Sequence, residues 1–68
     1  MNDTRRKQLA ASLKQLYSVK DTLEGVAEEE REANDNKPEA LQNEEAADAL
    51  DSAVSNLESA IDDLEGIE

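Results

Sequence analysis

Large apolar residues fall into two stripes separated by a polar break. In the first half Leu9, Leu13, Leu16 and Leu23 step by four, three and seven, with Val19 and Val26 on a flank. Those steps place the leucines on one side of an α-helix. In the second half Leu50, Val54, Leu57, Ile61 and Leu64 step by four and three without interruption, flanked by Ala46, Ala53, Ala60 and Ile67 at intervals of seven. That is a heptad seam.

Between the stripes lies Asn34-Asp35-Asn36-Lys37-Pro38, the one cluster of helix breakers. Proline disfavours helical geometry at Lys37 but suits the first turn of a following helix. Asn36 and Glu39 have the spacing of a capping box, with Lys37 as the other cap position. The pattern predicts a helix over about 4–33, a turn over about 34–37 and a helix over about 38–66. Both helices are then about 45 Å long. Equal lengths and a short connection predict an all-α fold, an antiparallel two-helix hairpin forming one domain over 1–68.

The halves also echo each other. Shifted by 41 residues, Leu9, Leu16, Ser18, Asp21, Leu23, Glu24 and Gly25 match Leu50, Leu57, Ser59, Asp62, Leu64, Glu65 and Gly66. An old duplication and the general likeness of acidic amphipathic helices both account for it.

Two helices alone leave one side of each stripe wet. Pairing two hairpins into a four-helix bundle covers both, so a homodimer is expected through Leu9, Leu13, Leu16, Leu23, Leu50, Val54, Leu57, Ile61 and Leu64.

The 68 residues carry 18 acids and 7 bases, a net charge of −11. Leu, Ile, Val and Phe are 13 of the 68, a level at which high net charge signals disorder. A disordered acidic chain has no reason to keep a helical register, so the periodicity prevails. With no cysteine and no histidine, disulfides, thiol nucleophiles, imidazole bases and conventional zinc sites are excluded. No apolar run has the length of a membrane span or a signal peptide.

Charge is polarised along the chain. Residues 1–20 hold five bases against Asp3, whereas residues 21–68 hold Arg31 and Lys37 against 17 acids. Arg5, Arg6 and Lys7 occupy a helix N-terminus, and Asp62, Asp63, Glu65 and Glu68 a C-terminus, both opposed by the helix dipole. Hairpin closure is expected to turn that mismatch into cross-helix pairing. Lys20 interrupts the first stripe, and its stem is expected to cover apolar surface while its ammonium reaches an acid on the second helix. Tyr17 is expected at the edge of the seam with its hydroxyl in water. Gly25 suits a close helix contact or a slight kink.

Glu44, Asp48, Asp51, Glu58, Asp62 and Glu65 step by threes and fours along one side of the second helix, Ser55 filling the gap. Such a stripe serves as a solvated face, or as a surface for a basic protein, including the case where carboxylates stand in for phosphates. A divalent cation fits less well, because no acidic loop with its glycine is present. Neither a catalytic pocket nor a nucleophile or phosphate-loop motif is in evidence, so no enzyme, cofactor, metal or small-molecule substrate is expected. Direct nucleic-acid binding is equally unexpected, with three clustered bases among so many acids.

Arg5-Arg6-Lys7, the run from Glu28 to Ala33, the turn Asp35-Asn36-Lys37-Pro38-Glu39-Ala40-Leu41-Gln42 and the segment Ala53 to Glu65 stand in this order along the chain. Together they resemble small acidic helical-hairpin proteins of phages, prophages and mobile elements of Gram-positive bacteria. The resemblance spans nearly the whole chain, and its most specific part is the turn. It implies a helical hairpin in the cytoplasm of a bacterial host, and supplies no catalytic residues. The expected function is a non-enzymatic protein–protein interaction. The alternatives are an inhibitor of a basic nucleic-acid-binding host protein and an assembly component of a phage particle.

Overall fold

The computed structural model describes residues 1–67. Helix α1 runs Asp3–Asp35, a short 3-10 turn spans Glu39–Leu41, and helix α2 runs Glu45–Glu65. The helices pack side by side and antiparallel, as the two stripes predict. Asn2 starts α1 by accepting the Arg5 N–H on its side chain at 2.8 Å, which satisfies one of the orphan donors of the first turn.

The second helix begins at Glu45, seven residues later than Pro38. Pro38 has ψ 142° and Gln42 ψ 135°, so extended backbone brackets the 3-10 turn and no α-helix passes through it. The expected box between Asn36 and Glu39 is not formed. Instead Asn43 Oδ1 accepts the Glu45 N–H at 2.9 Å, while Glu44, the residue before α2, makes no side-chain cap. The physical reason is burial. The first buried apolar residue after the break is Ala47, and Leu41, the large apolar residue of the connection, is 67 % exposed. Nothing in residues 38–44 gains a core by becoming helical.

A polar clasp holds the connection. Asn34, only 2 % exposed, accepts the Asn43 N–H on its side chain at 2.7 Å. The Gln42 amide donates to the carbonyls of Lys37 at 3.2 Å and Asp35 at 3.5 Å. No buried side-chain N or O is left without a partner among the described residues, as a buried amide requires.

The helices are therefore unequal, 33 and 21 residues, or about 50 and about 32 Å. Cross-helix neighbours fix the register: Asn34 meets Asn43, Arg31 meets Asp48, Lys20 meets Glu58 and Tyr17 meets Glu65. On this register the residues before about position 13 have no α2 residue opposite, and the start of α1 overhangs. The buried line consists of Ala27, Ala47, Val54 and Ile61. Leu9, Leu13, Leu16, Leu23, Leu50, Leu57 and Leu64 are only half-buried.

The result is a thin rod of 56 × 15 × 9 Å with a radius of gyration of 16.4 Å; a globular chain of this length has about 11 Å. Its accessible surface is 5159 Å², against about 4,200 Å² for a compact protein of its mass. Among the described residues, no helix is long and apolar enough to cross a membrane.

Candidate interaction faces

Helical geometry divides the rod into two unlike faces. On α2 the buried residues Ala47, Val54 and Ile61 mark the line facing α1. At about 100° per residue, Leu50, Leu57, Leu64, Ala53 and Ala60 lie about 40–120° to one side of that line. Glu44, Asp48, Asp51, Glu58 and Asp62 lie about 40–120° to the other. Helix α1 divides in the same sense about Ala27. Lys20, Arg31 and Tyr17 fall on the acidic side of the hairpin, and Leu16, Leu23, Val19 and Val26 on the leucine side.

The polar face is laced across the helices. The Arg31 guanidinium donates to the Asp51 carboxylate and reaches Asp48 at 3.3 Å. Its hydrogen bond to Asp51 raises the Arg31 pKa, opposed by desolvation and supported by the charges of Asp51, Asp48 and Glu44. The same hydrogen bond holds the Asp51 carboxyl below its ordinary range, because it favours the charged form. The Lys20 ammonium lies 3.6 Å from Glu58 and 4.0 Å from Glu24, and 5.9 Å from the centre of the Tyr17 ring. Its side chain is 22 % exposed, so its stem covers apolar surface while its head reaches α2, as the sequence suggests. The Tyr17 hydroxyl is not left to water. It donates to Glu65, and that bond, followed by desolvation and the charges of Glu65 and Asp62, raises the phenol pKa.

Of the six acids on the candidate partner stripe, Asp48, Asp51, Glu58 and Glu65 thus bind side chains of α1. Asp62 lines a groove of ≈ 200 Å³ with Tyr17, Lys20, Glu58 and Ile61, and Glu44 stands at the start of α2. The bases that close the hairpin are not the expected ones. Arg6 pairs within its own helix, with Asp3 at 3.9 Å. Among the described residues no ion pair joins Arg5, Arg6 or Lys7 to Asp62, Asp63 or Glu65; Glu68 lies outside those residues. The overhang is the cause, since it carries the basic cluster past the end of α2.

The opposite face is apolar and open. Val19 and Val26 are 47 % and 42 % exposed, with half-buried Leu16, Leu23, Leu50, Leu57 and Leu64 between them and exposed Ala53 and Ala60. All nine residues of the expected interface lie along the buried line and its margins: Val54 and Ile61 are consumed inside the hairpin, and the seven leucines keep part of their surface free. At the overhang, Met1, Leu9, Ala10, Leu13, Leu64 and Ile67 line most of an open groove of ≈ 500 Å³.

Two features escape a reading of the sequence. Asn34 reads as part of a breaker cluster and proves to be the buried clasp of the turn. Ala27 and Ala47 are buried where leucine-based stripes end; their positions four after Leu23 and seven before Val54 carry that signal. Gly25, by contrast, supports no close contact, because an added Cβ would meet nothing within 4 Å. Its echo Gly66 caps α2, so the matched positions have different structural roles. Among the described residues, no group of three or more acids is arranged to hold a metal ion. No protein-family model, curated protein or solved structure matches this chain.

Proposed function

We propose that this protein is a non-enzymatic interaction protein of phage or mobile-element origin that acts in the cytoplasm of a bacterial host and self-associates through its leucine-bearing face. The observation that carries this reading is the asymmetry of the hairpin. The acids of the polar face are largely bound to α1, whereas the apolar face, from Val19 and Val26 across to Ala53 and Ala60, is left exposed by the fold of the hairpin. The excess surface of the rod, about 900 Å² over a compact protein, is close to the roughly 800 Å² that each partner buries in a standard interface. A second hairpin laid on that face completes a four-helix bundle. The turn Asp35–Gln42 supports the origin.

Sedimentation equilibrium of the full chain at micromolar concentration tests the reading. The expected mass is twice 7.5 kDa. Val19→Glu with Val26→Glu places charge on residues already exposed in the hairpin, so helicity should persist while the mass falls to that of one chain. A wild-type monomer that melts cooperatively refutes the proposal.

A further inference from the structure

We infer that the second copy lies end over end, with the turn of each hairpin beside the overhanging start of the other's α1. This rests on the self-association proposed above and adds its geometry, which three observations at the two ends of the rod determine.

Charge is the first. Residues 3–14, which form the overhang and the turn after it, hold Arg5, Arg6, Lys7 and Lys14 against Asp3. Residues 28–48, which build the turn end, hold nine acids against Arg31 and Lys37, and Arg31 is already engaged by Asp48 and Asp51. Laid the same way round, two hairpins place acidic turn end on acidic turn end, and basic overhang on basic overhang. Laid end over end, each basic overhang meets an acidic turn, which fixes orientation as complementary potentials do at interfaces generally.

The second observation is where those charges sit. By the same angular reckoning Arg5 lies on the apolar side of α1, about 40° from the line facing α2. At the other end of that side, Glu30 and Glu45 line an open groove of ≈ 470 Å³ with Lys37, Asn43, Ala46 and Ala49. Arg5 of one copy and Glu30 of the other therefore flank one apolar face, with Glu45 at its outer edge, about 160° from the line of Ala47. The third observation is apolar. The overhang leaves the groove around Met1, Leu9 and Ile67 open, while Leu41 at the tip of the turn is 67 % exposed. Only the end-over-end arrangement brings the Leu41 of one copy to the open groove of the other.

The chain has no cysteine, so single cysteines introduced for spin labels report cleanly on orientation. Ser12→Cys and Ala33→Cys are exposed positions near opposite ends of α1. In the mixed dimer, electron–electron dipolar spectroscopy should find position 12 of one copy close to position 33 of the other. In the Ser12→Cys homodimer the two labels should stand roughly 30 Å apart along the axis, the rise of 21 helical residues. Two labels at position 12 in close proximity, with 12 and 33 far apart, would overturn the orientation and leave the homodimer intact. A wild-type monomer by sedimentation would overturn both. As an independent measurement, Arg5→Glu should weaken self-association about tenfold, the effect counting twice through the symmetry of the dimer. Adding Glu30→Lys and Glu45→Lys should restore it. Weakening without rescue counts against the proposed pairing.

Discussion

The two long faces of the hairpin come from the same two helices, yet they differ in what holds them. On one face long charged side chains reach across from partly covered Lys20 and Arg31 to the exposed carboxylates of Glu58, Asp48 and Asp51. On the other, the leucines are half-buried and the valines exposed. Between the faces runs a narrow dry line of Ala27, Ala47, Val54 and Ile61. Exposed ion pairs contribute little stability each, but they are particular about register. Burial contributes more and is indifferent to register as long as the sides match. The polar face therefore tells the helices how to align, and the dry line supplies the reason to stay together.

Substitutions separate the roles of the two faces, and the largest effect is expected in the dry line. Ile61→Ala, at a residue 2 % exposed, should cost about 3 kcal/mol in a urea melt at fixed protein concentration. If it costs no more than replacing Lys20, the division of labour argued above is wrong. Next comes the clasp. Asn34→Ala removes the acceptor of the buried Asn43 N–H and should cost about 1–2 kcal/mol, with faster hydrogen exchange at that amide. Unchanged exchange would mean that the turn is held by its backbone alone.

A smaller effect of opposite sign tests whether α1 needs its glycine. An added Cβ at Gly25 meets nothing, so Gly25→Ala should raise stability by about 0.5–1 kcal/mol. A loss of stability would show that the position serves a contact outside the hairpin.

The polar face is sharpened by pH. Asp51 has a folded-state pKa below its ordinary value because Arg31 donates to it. Its contribution is complete above the unfolded carboxyl's pKa, near 3.8, and is lost as pH falls through the lower folded value. Arg31→Gln should remove that acid-limb loss, read as the difference between wild-type and variant melting temperatures from pH 6 to 2. Carboxylates away from Arg31 act on both proteins alike. Of those facing it, Asp51 accepts its closer hydrogen bond while Asp48 stands at 3.3 Å, so equal acid sensitivity would show that Arg31 holds neither carboxylate in solution. Tyr17 gives the smallest and most local signal. Its phenol pKa lies above 10.0 through the hydrogen bond to Glu65, so that bond helps the fold below pH 10 and is lost as pH rises through the folded value. Ultraviolet titration of the phenolate should shift down toward 10 in Glu65→Gln; an identical midpoint would separate the two side chains.

How the molecule divides between local and long-range causes can be read from particular residues. Leu9, Leu13, Leu16 and Leu23, and Leu50 through Leu64, announce two amphipathic helices because helical period is a local property of spacing. Lys20 could be placed for the same reason: its neighbours at three and four residues are all on its own helix. The start of α2 could not. Pro38 and the Asn36–Glu39 spacing are locally consistent with a helix, and only the lack of a buried partner for residues 38–44 decides against it. Among the described residues Arg5, Arg6 and Lys7 do not pair with α2, for a related reason: that expectation assumed equal helices, and α2 is shorter by 12 residues.

The order of residues alone therefore determined that there are two helices, which residues share a side of each, and that the connection lies after Ala33. Tertiary structure decided the register, the overhang, and which of the acids are bound to α1. A helical period fixes angles around one axis, whereas alignment between two axes depends on contacts summed over both, including a clasp nine residues long from Asn34 to Asn43. That sum places the acids beside Lys20 and Arg31 on one face and leaves the leucines of the other uncovered.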